Sequence, residues 1–197
     1  MDDLLTTLAL AYQYPKPGST KALWEQEKNL PKSRAKDLLE RFLKAISELK
    51  LSEREELYTR TLDLTPLTAP NIGYAVYGED YRRGRFMSEL NAEYLKLEID
   101  SSNEIPDHLI PVLRYLAVAE KPLSELLQLL EPALRQIIQT LKTLEPKNPY
   151  LLLLEATLEA VKPYIKQAAT LPDQSTQLPV MMGSLMRNSP FWKGGNE

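Results

Sequence analysis

Apolar residues recur at alternating spacings of three and four along most of this 197-residue chain, and most of its 15 prolines stand between the periodic runs. That period closes one face of an α-helix and no face of a strand. Glycine is scarce, at seven residues, so turns fall to proline-marked boundaries. The pattern predicts an all-α fold, a single-domain helical bundle of about seven to ten helices. Residues 1–170 carry it. From 171 to 197 the periodicity stops, and that stretch is expected to be an irregular tail, with apolar residues such as Val180, Met182 and Trp192 available to pack back on the body.

Individual helices can be placed from their start signals. Asp2 and Asp3 can cap a first helix ending near Tyr14, before Pro15 and Pro17. A short helical piece is expected around Ala22 to Lys28. Ser33 then caps a strong helix to Lys50, striped by Leu38, Leu39, Phe42, Leu43, Ile46 and Leu49. Ser52 and Glu55 have capping-box spacing and predict a helix to about Leu62. Asp80 can cap a helix reaching toward Glu98, striped by Met87, Leu90, Tyr94 and Leu97. Asp107 is the expected cap of a helix to about Glu120. Later helices are predicted from Pro132 to Leu144 and from Asn148-Pro149 onward, the last with a kink at Pro163.

The centre of the chain departs from this regularity. Between Leu57 and Leu116 lie six of the ten tyrosines, three of the seven glycines and the single histidine. The segment Asp63 to Asp80 breaks both helical and strand patterns with Pro66, Pro70, Gly73 and Gly78, yet carries Leu64, Leu67, Ile72, Tyr74, Val76 and Tyr77. An apolar, aromatic loop of this kind is either packed onto the body or part of a binding surface. Arg82, Arg83 and Arg85 sit in the first turns of the following helix, where cations oppose the helix dipole. They form either a local salt-bridge cluster, with carboxylates such as Glu79, or a contact for an acidic or carbonyl-rich partner. From Glu98 to Asp107 every charge is acidic, at Glu98, Asp100, Glu104 and Asp107. His108, beside a helix start, is expected to be neutral, because the dipole disfavours its imidazolium there.

Several chemistries are excluded or disfavoured. The chain has no cysteine, which removes disulfides, thiolate metal sites and a cysteine nucleophile. One histidine cannot build a two-histidine metal site, and no phosphate-binding glycine loop or serine nucleophile elbow is present. An enzyme using carboxylates in an all-α pocket stays open as a minor reading. No catalytic, metal-binding or cofactor-binding residue is assigned. The net charge of −3, with both signs interleaved, gives no segregated basic face for nucleic acid. The acidic Met1-Asp2-Asp3 start and the short apolar runs predict neither export nor membrane insertion, so a cytoplasmic protein is expected. No heptad seam calls for a coiled coil, and a monomer is the expectation.

The central motifs resemble a known family. Tyr58, then Leu62-Asp63-Leu64-Thr65-Pro66, then Gly73-Tyr74 and Tyr77-Gly78-Glu79-Asp80-Tyr81-Arg82-Arg83-Gly84, then Leu90 and Tyr94, and finally Ile105-Pro106-Asp107-His108-Leu109-Ile110-Pro111 are similar to the NarJ-type assembly chaperones of nitrate reductase. These belong to the redox-enzyme maturation superfamily, with the chaperones of trimethylamine-oxide and dimethyl-sulfoxide reductases. Leu62 stands where the family tends to have phenylalanine, and the Asp107-His108 pair is more like the latter two groups. The resemblance implies a non-enzymatic, cytoplasmic, helical protein that binds the N-terminal peptide of a molybdenum-containing oxidoreductase subunit and assists insertion of its molybdenum cofactor before membrane docking or export. Partner-binding residues would be Tyr58, Asp63, Tyr74, Tyr77, Arg83, Tyr94, Asp107 and His108. The alternative is a helical adaptor or regulator for an unrelated protein, in which the motif serves only the fold.

Overall fold

A computed structural model describes residues 2–170, with side chains through residue 166. Helix α1 (Asp3–Ala11) starts because the Asp2 carboxylate accepts the amides of Leu4 and Leu5 at 2.9 and 3.2 Å. It is followed by α2 (Ser19–Asn29), α3 (Arg34–Ser47) and α4 (Leu51–Tyr58), the last running into a π-helical turn, Thr59–Asp63. Then come α5 (Ile72–Tyr77), α6 (Tyr81–Lys96), α7 (Leu109–Val118), α8 (Ser124–Leu144) and α9 (Tyr150–Thr170). The described residues form no strand; Asn71 and His108 make one isolated antiparallel bridge. The fold is therefore an all-α, single-domain bundle.

Helix α9 packs against both α3 and α8 and reaches α1. Helix α1 also packs on α7, and α5 packs on α8 and α6. Buried side chains from Leu5 to Val161 join in one core. Helix α7 is enclosed on nearly every side, with Leu109 to Leu113 and Tyr115 to Ala117 all buried. A polar pair is locked inside: the hydroxyls of Tyr12 and Thr157, both fully buried, lie 2.9 Å apart and tie α1 to α9. That bond meets the requirement that a buried hydroxyl be partnered.

The structure moves several expected boundaries, each for a physical reason. Helix α1 stops at Ala11 rather than near Tyr14, and α2 is longer than the piece expected around Ala22 to Lys28. Helix α4 is set by Glu53, whose carboxylate accepts the Lys50 amide at 2.6 Å, not by the Ser52 and Glu55 box. Asp63 to Asp80 is not wholly irregular, because α5 forms within it. The cap of α7 is His108, whose Nδ1 accepts the Ile110 amide at 3.1 Å, rather than Asp107. Helix α8 begins at Ser124 and runs through Pro132 instead of starting there. A proline inside a helix costs about 3 kcal/mol. Burial of Leu126, Leu127, Leu129 and Leu130 ahead of it outweighs that, at roughly 1.5–3 kcal/mol for each fully buried leucine.

On α6 the buried stripe is Phe86, Leu90 and Tyr94, at spacings of four, while Leu97 is exposed. Among the described residues no helix is long and apolar enough to cross a membrane. The tail expected over 171–197, and its packing against the body, lie outside the described residues.

Candidate functional site

The motif pieces that are far apart in sequence meet at the start of α7. Asp107 is completely buried, and its carboxylate is gripped by Arg83, with Nε to Oδ2 at 2.8 Å and Nη2 to Oδ1 at 3.2 Å. Oδ2 also accepts the Tyr74 amide at 3.2 Å, and the Asp107 carbonyl accepts the Ile72 amide at 2.8 Å. Asp107 thus supplies from another part of the chain the acceptors that a local cap would give α5. A planar guanidinium meeting a carboxylate in two parallel bonds is the strongest common form of this contact. Gly73 is required by the closeness of the approach: a Cβ there would lie 2.7 Å from Asp107 Oδ2 and 3.1 Å from Phe86. Tyr94 completes the knot by donating its hydroxyl to the Pro106 carbonyl at 2.8 Å.

His108 is also buried, and burial pushes its imidazole down to about 4. Since Nδ1 accepts from its own helix, the neutral ring carries its proton on Nε2, which faces Glu104 at 4.0 Å. The ring is occupied as a cap and is not a free base. The expectation of a neutral histidine agrees with this.

Outside the knot, α5 and the start of α6 present an aromatic ridge. Arg83 lies over the Tyr74 ring at 5.2 Å and Arg82 over the Tyr77 ring at 5.1 Å, distances at which a cation is drawn to a ring face. The Tyr77 hydroxyl donates to Glu125 on α8 at 2.7 Å, and burial together with that carboxylate raises its pKa above the usual value. Beyond these half-buried rings, Val76 is 38% exposed and Tyr81 is 82% exposed. All three arginines that oppose the α6 dipole find carboxylates. Arg82 pairs with Asp80, Arg83 with Asp107, and Arg85 with Glu89 and Glu125. The salt-bridge reading of the cluster therefore holds, with partners other than Glu79.

Tyr58 and Asp63 make no hydrogen bond to the knot, though both lie near Glu104, which faces His108. Tyr58 is buried, edge-on to Tyr14 at 5.3 Å and to Tyr150 at 6.3 Å. Asp63 is exposed and enters no ion pair among the described residues, and Glu104 has its carboxyl raised by burial and by Asp63. The acidic loop is braced by Arg114, which reaches Asp100 at 2.9 Å. Of the eight residues chosen from the sequence, Tyr74, Arg83, Tyr94, Asp107 and His108 form one connected unit, with Tyr77 beside it. Tyr58, Tyr94, Asp107 and His108 offer almost no surface to a partner. Tyr81, Val76 and Glu125 were not among the eight. Tyr81 stands beside the Asp80 cap, and the solvent-facing start of an amphipathic helix was a readable signal; nothing in the sequence marks Glu125.

The arrangement leaves one ring, Tyr81, and the Val76 side chain open to solvent, with the exposed Arg82 guanidinium beside them. Among the described residues no group of His, Asp and Glu is placed to hold a metal ion. No protein-family model matches the chain, and no curated protein matches it in sequence.

Proposed function

We propose that this chain is a cytoplasmic assembly chaperone that binds the N-terminal segment of a molybdenum-containing oxidoreductase subunit and holds it during insertion of the molybdenum cofactor, before membrane docking or export. The observation that carries the reading is the exposed apolar side chains of Val76 and Tyr81, with the half-buried rings of Tyr74 and Tyr77 between them and the Arg83–Asp107 knot. An aromatic surface set on a rigid base is suited to peptide capture, because little side-chain freedom is left to lose on binding. The resemblance gains from the same geometry. Its separate pieces, Gly73 to Gly84, Tyr94 and Ile105 to Pro111, touch one another in space.

In this reading the client lays an apolar face over Val76 and Tyr81, while Arg82 meets its carbonyls or acids. Arg83 and Asp107 act from beneath by fixing the ridge. Isothermal titration with N-terminal peptides of the molybdoenzyme catalytic subunits encoded in the same genome tests it. Saturable binding to one of them, lost on scrambling its sequence, is expected; no binding to any would contradict the proposal.

The burial of Tyr58, Tyr94 and Asp107 favours a second reading, a helical adaptor for an unrelated protein whose central motif serves only the fold. A pull-down dominated by proteins other than molybdoenzymes would favour it.

A further inference from the structure

Arg54, on α4, is the half-buried arginine that the fold leaves without an anion. It enters no ion pair among the described residues; Nη1 donates to the Thr20 hydroxyl, and Nε is buried with no acceptor. Nε is shielded, whereas Nη2 keeps accessible surface and has no hydrogen-bond partner among the described residues, so a ligand anion can reach the guanidinium there. Arg54 borders a cavity of about 170 Å³ among α1, α2, α3 and α4, whose apolar wall includes Leu10, Leu23, Phe42, Ile46 and Leu57. Among the described residues the charged groups lining it are Arg54 and Lys16, and no carboxylate lines it. Ser19 and Thr20, also in its wall, form the first turn of α2, where Gly18 has φ 82° and no side chain to act as a cap; the Ser19 amide is taken by the Lys16 carbonyl at 3.1 Å. The positive end of that helix adds to the two cations.

We propose that this cavity binds a compact apolar monocarboxylate. Its carboxylate meets the Arg54 guanidinium and the start of α2, and its hydrocarbon body fills the space between Leu23, Phe42 and Leu57. An apolar cavity of about 150 Å³ accepts a benzene-sized molecule, so the body is about six to ten carbons, part of it lying in the open mouth. The unanswered cation selects an acid over a neutral lipid, because a ligand without an anion would leave Arg54 as it stands. This site is separate from the aromatic ridge, and its occupancy does not depend on the chaperone reading.

The test is calorimetric titration of the full chain with octanoate, octanamide, 1-octanol and a leucine-terminated tripeptide. Expected are saturable one-site binding of octanoate, affinity for octanamide and octanol lower by about tenfold or more, and a similar loss of octanoate affinity in Arg54→Gln. Absence of saturable octanoate binding would overturn the proposal. Equal affinity for octanoate and octanamide on the unaltered chain would overturn the role of the cation, without relying on any variant. Tighter binding of the tripeptide than of octanoate would overturn the assignment to a free acid in favour of a chain terminus.

Discussion

Arg83 and Arg54 are both half-buried against helices of the same core, and they meet opposite surroundings. Arg83 is held in two bonds by a fully buried carboxylate, with a glycine cleared of its Cβ to let the parts close. Arg54 has one hydroxyl partner and no carboxylate among the described residues, and it borders an apolar cavity. An answered buried charge belongs to the architecture, since removing its partner strands an ion. Arg54 ties α4 to α2 through the Thr20 hydroxyl, yet its charge meets no carboxylate among the described residues and stands where a ligand can answer it.

That contrast breaks most visibly at Arg83. Arg83→Ala leaves Asp107 buried and unpaired, a change that costs about 3–5 kcal/mol. Urea unfolding of Arg83→Ala, with Arg83→Leu/Asp107→Leu alongside, should show the double variant more stable than the single one. Equal losses would mean that the charge pair is not what holds the start of α7.

Acid should loosen the same corner through His108. The unfolded histidine takes its proton near 6.5 and the folded one near 4, so between those values the unfolded state binds more protons. Stability is complete above pH 6.5 and is lost as the pH falls toward 4, by roughly 3 kcal/mol. Replacement by asparagine, itself a good cap, keeps an acceptor for the Ile110 amide and should flatten the slope between pH 6.5 and 5. As this is the only histidine in the chain, an unchanged slope would point to carboxylates instead.

Two glycines of one motif sharpen the picture further. Gly73→Ala forces a methyl against Asp107 and Phe86 and should cost about 1–3 kcal/mol. Gly84→Ala, inside α6 with nothing within 4 Å of the added carbon, should stabilise by about 0.5–1 kcal/mol. Thermal melts of the two variants should therefore shift in opposite directions.

Arg54 completes the series with the smallest effect. Arg54→Leu removes an unsatisfied donor and gives up one hydroxyl contact, so stability should stay within about 1 kcal/mol of the parent in urea unfolding. A loss as large as that of Arg83→Ala would make Arg54 a structural residue after all.

The sequence carried most of the helices because their signals are local. Asp2, Ser33 and Asn148 cap the helices they precede, and the stripe from Leu38 to Ile46 is buried as its spacing predicts. What could not be read depends on groups distant in the chain. Helix α5 forms because Asp107 takes the Ile72 and Tyr74 amides, and no inspection of residues 70–78 reveals that. The same capture of Asp107 hands the α7 cap to His108. Pro132 looks like a start until the leucines before it are seen to bury on one continuous face. At the site, composition singled out the right stretch but mixed its supports with its surface. Tyr94 and Asp107 are polar or aromatic in the sequence and internal in the fold, and only burial separates them from Tyr81.

That separation has a direct test. In Val76→Ser/Tyr81→Ser both substitutions fall on exposed positions, so the fold should be retained, as checked by circular dichroism and urea unfolding. Calorimetric titration with the client peptide that the parent binds should then give an affinity lower by about tenfold or more. Unchanged affinity in the folded double variant would contradict the assignment of the α5–α6 ridge as the docking surface.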